Sequence, residues 1–171
     1  MSVAVRPIIK LGAPVLRQRA IKIHRIDNSV KALIADLIDT VKDAPGAGLA
    51  APQIGVPLRV LVTNHEDRIR VIINPEIVWE SDQEVVADEG CLSIPGFYGP
   101  VARKDAVVVR AMGRNGKISK IKAEDWEARI LQHEIDHLNG VLYIDRMEDK
   151  RLLRRADEAQ EEELQEAEVI T

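Results

Sequence analysis

Aromatic residues are scarce in this chain: one phenylalanine, two tryptophans and two tyrosines in 171 residues, 3% in all. Stacking on nucleic-acid bases is therefore disfavoured, and a net charge of −4 offers no basic excess to a phosphate backbone. Direct sequence-specific nucleic-acid binding is not expected. Cysteine occurs once, at Cys91, which excludes an intramolecular disulfide and fits a reducing compartment. Long hydrophobic runs are missing too: no stretch reaches the ~18 apolar residues of a membrane span. The opening residues Met1 to Pro7 hold no apolar segment of a secretory leader. A cytoplasmic location is expected, with an organellar matrix as the alternative. What is present suits one domain with its own core, including 46% hydrophobic residues.

The most informative stretch is Gln132-His133-Glu134-Ile135-Asp136-His137-Leu138. Ile130, Leu131, Ile135 and Leu138 recur at helical spacing. Glu124 and Asp125 put negative charge at the start, where the helix dipole favours it, and Gly140 supplies a C-terminal stop. In a helix, residues four apart share a face, so His133 and His137 can offer two imidazole nitrogens to one metal ion. Glu134 can act on a water at that ion without being a ligand. A third ligand is needed. Cys91, in Asp88-Glu89-Gly90-Cys91-Leu92-Ser93-Ile94-Pro95-Gly96, is a natural soft donor just ahead of a Pro-Gly turn. The alternative for Cys91 is a buried structural thiol. Three ligands with a fourth position open is the layout of a catalytic site. Asp136 is in poor helical phase for the same ion and fits better as a partner orienting a neighbouring group.

Other segments supply the frame. A short helical turn is expected from Pro14. Asn28-Ser29 caps an amphipathic helix in which Val30, Leu33, Ile34, Leu37, Ile38 and Val41 recur to about Asp43. From Pro45 to Gly55 the chain carries three glycines and two prolines, which argues against regular structure, yet almost no charge. Gly46 and Gly48 would let a ligand approach the backbone. Gln53 is either an exposed side chain of a tight loop or a donor to a developing oxyanion, joined by backbone N–H groups near Leu92. Leu58 to Thr63 and Val71 to Trp79 read as a hairpin turning at Asn64 to Asp67. Residues 105–111 and 117–122 read as two more strands. His24 and His65 read as surface residues. Trp126 and Ile130, on the metal helix, are candidate walls of an apolar substrate pocket. The catalytic domain is read as residues 1–150. The tail, 151–171, is a charged helical extension, basic over Lys150 to Arg155 and acidic beyond. These residues point to metal-assisted hydrolysis of a carbonyl compound with Glu134 as general acid/base.

Three separated motifs then carry a resemblance: Gly46-Ala47-Gly48-Leu49-Ala50-Ala51-Pro52-Gln53, Glu89-Gly90-Cys91-Leu92-Ser93 and Gln132-His133-Glu134-Ile135-Asp136-His137. In kind, order and spacing they resemble the motifs of the peptide deformylases, over about residues 7 to 150. The resemblance implies an α+β fold, with antiparallel strands packed around a central metal-binding helix, an N-terminal amphipathic helix and a C-terminal helix. It implies removal of the N-formyl group from the N-terminal formyl-methionine of newly synthesised proteins. It further implies one Fe2+ per chain, which Zn2+, Ni2+ or Co2+ can replace, held by Cys91, His133 and His137. Glu134 would be the acid/base, and Gln53 and the Leu92 amide would polarise the formyl oxygen. A ribosome contact, made in the family by a C-terminal helix, would fall on Lys150 to Arg155.

One position departs from the pattern. Many bacterial members carry an arginine three residues after the proline of the cysteine motif, where it helps hold the peptide. Tyr98 stands there in this chain, as in the variant shared with plant-organelle enzymes, and Arg103 is the nearest substitute. The enzyme rival is an HExxH metallopeptidase. The run His133-Glu134-x-x-His137-x-x-Gly140 opens like a metzincin, but Tyr143 stands where a third histidine belongs, and Cys91 would be unexplained. A non-catalytic, metal-binding, ribosome-associated factor is the rival from another class.

Overall fold

Helices pack on both faces of a five-stranded antiparallel sheet in a computed structural model of the chain, which describes residues 4–158. Its strands are β1 (Gly48–Ala50), β2 (Val60–His65), β3 (Arg68–Glu80), β6 (Ala106–Met112) and β7 (Ile118–Glu124), in the order β1-β2-β3-β6-β7. A second sheet contains β4 (Glu84–Cys91), β5 (Ile94–Lys104) and β8 (Arg154–Arg155), in the order β4-β5-β8. The helices are α1 (Asn28–Asp43), α2 (Asp125–Leu138) and α3 (Tyr143–Arg146), so the α+β class implied by the motifs is the one observed.

Strand alternation explains the layering. Leu61 and Ile72, paired across β2 and β3, face the α2 side with Ala128, Leu131, Ile135 and Leu138. Their neighbours Val60 and Ile73 face the opposite side, where α1 buries Val30, Leu33, Ile34, Leu37 and Val41. Helix α1 begins one residue earlier than its sequence cap suggests. Asp27 is the N-cap, accepting from the Val30 amide at 3.0 Å, and Ser29 donates to Asp27 instead. Gly140 follows α2 with φ 73°, a left-handed conformation in which a side chain would also strike the Arg17 carbonyl, 2.6 Å from a Cβ.

Three sequence expectations are corrected. The glycine- and proline-rich run contains regular structure after all: β1 pairs with β2 over Gly48–Ala50, and a 3-10 helix covers Ala51–Ile54. Residues 84–104 form a long hairpin that the sequence did not announce. Its turn is Leu92-Ser93, and Pro95-Gly96 lies within β5. The tail after Met147 is not one helix. Lys150–Leu152 is a 3-10 turn, and Arg154–Arg155 pairs as a strand with Phe97 and Tyr98. The acidic stretch from residue 159 onward lies outside the described residues.

Candidate active site

Helix α2 passes behind the β4–β5 hairpin, and this brings the three expected metal ligands together. One donor atom each from Cys91, His133 and His137 lies within 4.8 Å of the others. Cys91 Sγ is 3.3 Å from His137 Nε2. His133 turns Nδ1 toward Glu89 Oε1 at 2.8 Å, which leaves Nε2 for the shared centre. Burial pushes His137 well below the ordinary histidine range, so it stays neutral, as a ligand must be. A thiol and two imidazoles, converging with Cys91 Sγ beside His137 Nε2, fit a first-row transition metal.

Glu134 sits beside them, 4% exposed, with Oε2 buried and, among the described residues, without a hydrogen-bond partner. Burial raises its carboxyl to about 7, against the opposing effect of His133. Backbone of β1 runs directly over it: a Cβ on Gly48 would lie 2.7 Å from Glu134 Oε1. Gln53 is buried and is not the exposed side chain of a tight loop. Its Oε1 accepts from the Ala50 amide at 2.9 Å, and this fixes Nε2 toward Ser93 Oγ (3.2 Å) and Cys91 Sγ (3.6 Å). A cleft of about 630 Å³ opens in front of these groups. Gly46, Gly48, Leu92, Tyr98, Trp126 and Ile130, all singled out in the sequence, line it together with Gln53, Cys91, His133 and Glu134.

Behind the cleft lies a buried ionic network that sequence reasoning missed. Arg103 grips Glu89 with two hydrogen bonds of 2.8 and 2.9 Å and donates to Asp136 at 2.6 Å. Arg129 donates to Glu89 at 2.7 Å, and Arg146 to Asp136 at 2.8 and 3.1 Å. Burial alone would raise Glu89, but the bonds from Arg103 and His133 hold it down to about 2. Glu89 lay within a recognised motif. The signal that could have exposed its role is the rule that a metal-bound imidazole gives its other nitrogen to a carboxylate. Asp136 orients a neighbour as expected, and that neighbour is Arg103. Arg103 is thus committed to this network and 5% exposed, so it does not replace the missing peptide-holding arginine.

The family model described as Polypeptide deformylase matches residues 5–152. The chain belongs to the polypeptide deformylase family. A peptide deformylase of Dehalococcoides mccartyi (strain CBDB1) is 45% identical over 167 residues, covering 95% of this chain and 99% of its own. The crystal structure of a Synechococcus elongatus peptide deformylase in complex with actinonin superposes with a TM-score of 0.84 at 38% identity, covering 95% of this chain and 87% of that one. A Met-Ala-Ser-bound class I type b peptide deformylase from Acinetobacter baumannii matches with a TM-score of 0.82 at 31% identity, covering 85% and 100%. The chain is therefore a hydrolase of a metal-dependent family, and the peptidase reading of its His-Glu-x-x-His run is not supported. Among the described residues no helix is long and apolar enough to cross a membrane.

Proposed function

We propose that this chain hydrolyses the N-formyl group of formyl-methionine at the N-terminus of newly made proteins, releasing formate and a free α-amine. The observation that carries this reading is the convergence of Cys91, His133 and His137 beside a buried carboxylate, Glu134, in one open cleft. Cys91, His133 and His137 would hold the metal, for which we propose Fe2+, replaceable by Zn2+, Ni2+ or Co2+. A bound metal supplies Lewis-acid polarisation of a carbonyl and a more acidic water.

The chain's own residues divide the remaining work. Glu134 takes the proton from the attacking water and returns it to the departing amine, a task suited to a carboxyl titrating near neutrality. Gln53 Nε2, already fixed by the Ala50 amide, and the Leu92 amide donate to the formyl oxygen as charge develops there. Gly46 and Gly48 belong to one cleft wall, against which an extended peptide would lie, and their missing side chains make room for Leu92 and Glu134. Ile130 and Trp126 form the apolar seat of the methionine side chain, and Tyr98 the opposite wall. We divide the chain functionally into a catalytic body, 1–150, and a tail, 151–171. Within the basic run from Lys150 to Arg155, Lys150 and Arg151 are exposed and remain available for a transient ribosome contact, consistent with a cytoplasmic enzyme.

The test is hydrolysis of formyl-Met-Ala-Ser by protein purified without oxygen, with metal content measured on the same sample. Formate release in proportion to bound metal is expected. Release of free methionine from unformylated Met-Ala-Ser, with none from the formyl group, would overturn the reading.

A further inference from the structure

Position 98 has an arginine beside it, supplied by the tail. Strand β8 pairs with β5 so that Tyr98 lies opposite Arg154 and Phe97 opposite Arg155. The Arg154 guanidinium reaches across this strand pair to an ion pair with Asp88 on β4. Asp88, Phe97 and Tyr98 all line the cleft. One tail residue thus ties together both strands of the hairpin that forms the cleft wall. Leu153, just before it, packs on the cluster of Ile94, Val101, Leu142, Tyr143 and Met147, which anchors the strand. From inside, Tyr143 donates to the Phe97 carbonyl at 3.2 Å. The Tyr98 ring itself rests on Gly90, where a Cβ would come within 2.7 Å of Cε1. Gly90 adjoins the candidate ligand Cys91, so the ring's seat and the metal site share one stretch of backbone.

We propose that Arg154 is a positioning residue for the peptide substrate: by holding β8 on β5 and pairing with Asp88, it fixes the Phe97–Tyr98 wall against which the peptide lies. This rests on the deformylase reading above. It also assigns the tail's first residues to substrate binding. A peptide that meets a fixed wall does not have to order that wall on binding, so the contribution falls on affinity and not on the chemical step.

The experiment compares wild-type enzyme with Arg154→Ala, Arg154→Lys and Asp88→Asn, using formyl-Met-Ala-Ser for kinetics and Met-Ala-Ser for binding without turnover. Arg151→Ala is the charge-loss control, since among the described residues the Arg151 side chain bonds only Asp149. Arg154→Ala is expected to raise KM and weaken Met-Ala-Ser binding about two- to fivefold, the range an exposed ion pair supplies. Its kcat and metal content should equal those of the wild type. Arg154→Lys should recover most of the loss, Asp88→Asn should reproduce it, and Arg151→Ala should show none. Unchanged KM and unchanged binding in Arg154→Ala overturn the proposal whatever Asp88→Asn does. A fall in kcat or in metal content that accompanies the KM change marks a general structural role and overturns it too. If the wild type releases no formate, the deformylase reading fails instead, and the binding measurement still tests the wall.

Discussion

Gly48 has no room for a side chain, because the Glu134 carboxylate occupies the space where a Cβ would stand, at 2.7 to 2.9 Å. Gly48→Ala must therefore push either β1 or Glu134 out of place. Misplacing a proton-transfer group forfeits much of the 10²–10⁴-fold that such a group contributes. A fall in kcat of about tenfold or more is expected, with metal content unchanged. Glu134→Gln, which keeps shape and ligands but cannot take a proton, should lose about 10²–10⁴-fold in kcat while still binding metal. Steady-state rates with metal analysis check both variants, and near-wild-type turnover in Glu134→Gln would remove Glu134 from its role. Cys91→Ser belongs to the same scale. A hydroxyl lacks the charge and softness of a thiolate, so metal content after dialysis should drop. Full occupancy and full activity would strike Cys91 from the ligand set.

Elements differ in how openly their sequences declare them. Helices α1 and α2 were legible because one face of each is buried over several turns, and the 3.6-residue period shows it. Strands β2, β3, β6 and β7 were legible from their β-branched residues. Strand β4 was not, because its pattern is inverted: Val85 and Val86 are exposed, while the buried side chain is Glu89, held by Arg103 and Arg129. No hydrophobic rule finds a strand whose inward residue is an ion. Strand β1, with three residues, and β8, with two, exist through distant pairing and carry no local signal. The convergence of Cys91, His133 and His137 was legible because metal-site chemistry needs particular residue types at fixed spacing. Their supporting arginines were hidden because any surface arginine looks the same in sequence. At the N-terminus of α1, Asp27 is held below its ordinary value of 3.8, first by the Ser29 hydroxyl and then by the Val30 amide. The folded state thus favours the charged form, and its stabilising effect is full above that value and fades as pH falls through the lower folded-state value. The difference in Tm between wild type and Asp27→Ala should accordingly be largest near neutrality and shrink at pH below about 4. A difference independent of pH would mean that the charged carboxylate is not the cap.

At the scale of the whole molecule, two clamps join the β4–β5–β8 sheet to α2. One is the candidate metal site, with Cys91 on the hairpin and His133 and His137 on the helix. The other is the ionic network, in which Arg103 on β5 holds Glu89 on β4 and Asp136 on α2. They respond differently to loss. Metal binds the folded chain in preference to the unfolded one, so a metal present at 100 times its Kd adds about 2.7 kcal/mol, which chelation removes. In a domain of this size that lowers Tm by roughly 5–10 °C. Arg103→Ala acts more severely. It leaves Glu89 and Asp136 buried with less compensation, and breaking a buried pair typically costs about 3–5 kcal/mol. It also removes two of the hydrogen bonds that keep Glu89 aimed for His133, so metal affinity should fall with stability. Calorimetry of wild type and Arg103→Ala, each with and without chelator, separates the clamps. The expected order is wild type with metal, wild type chelated, and Arg103→Ala lowest, with chelation costing the variant less than it costs the wild type because less metal is bound. Equal chelation effects in both proteins would show that Arg103 holds the sheet to the helix without tuning the ligand it stands behind.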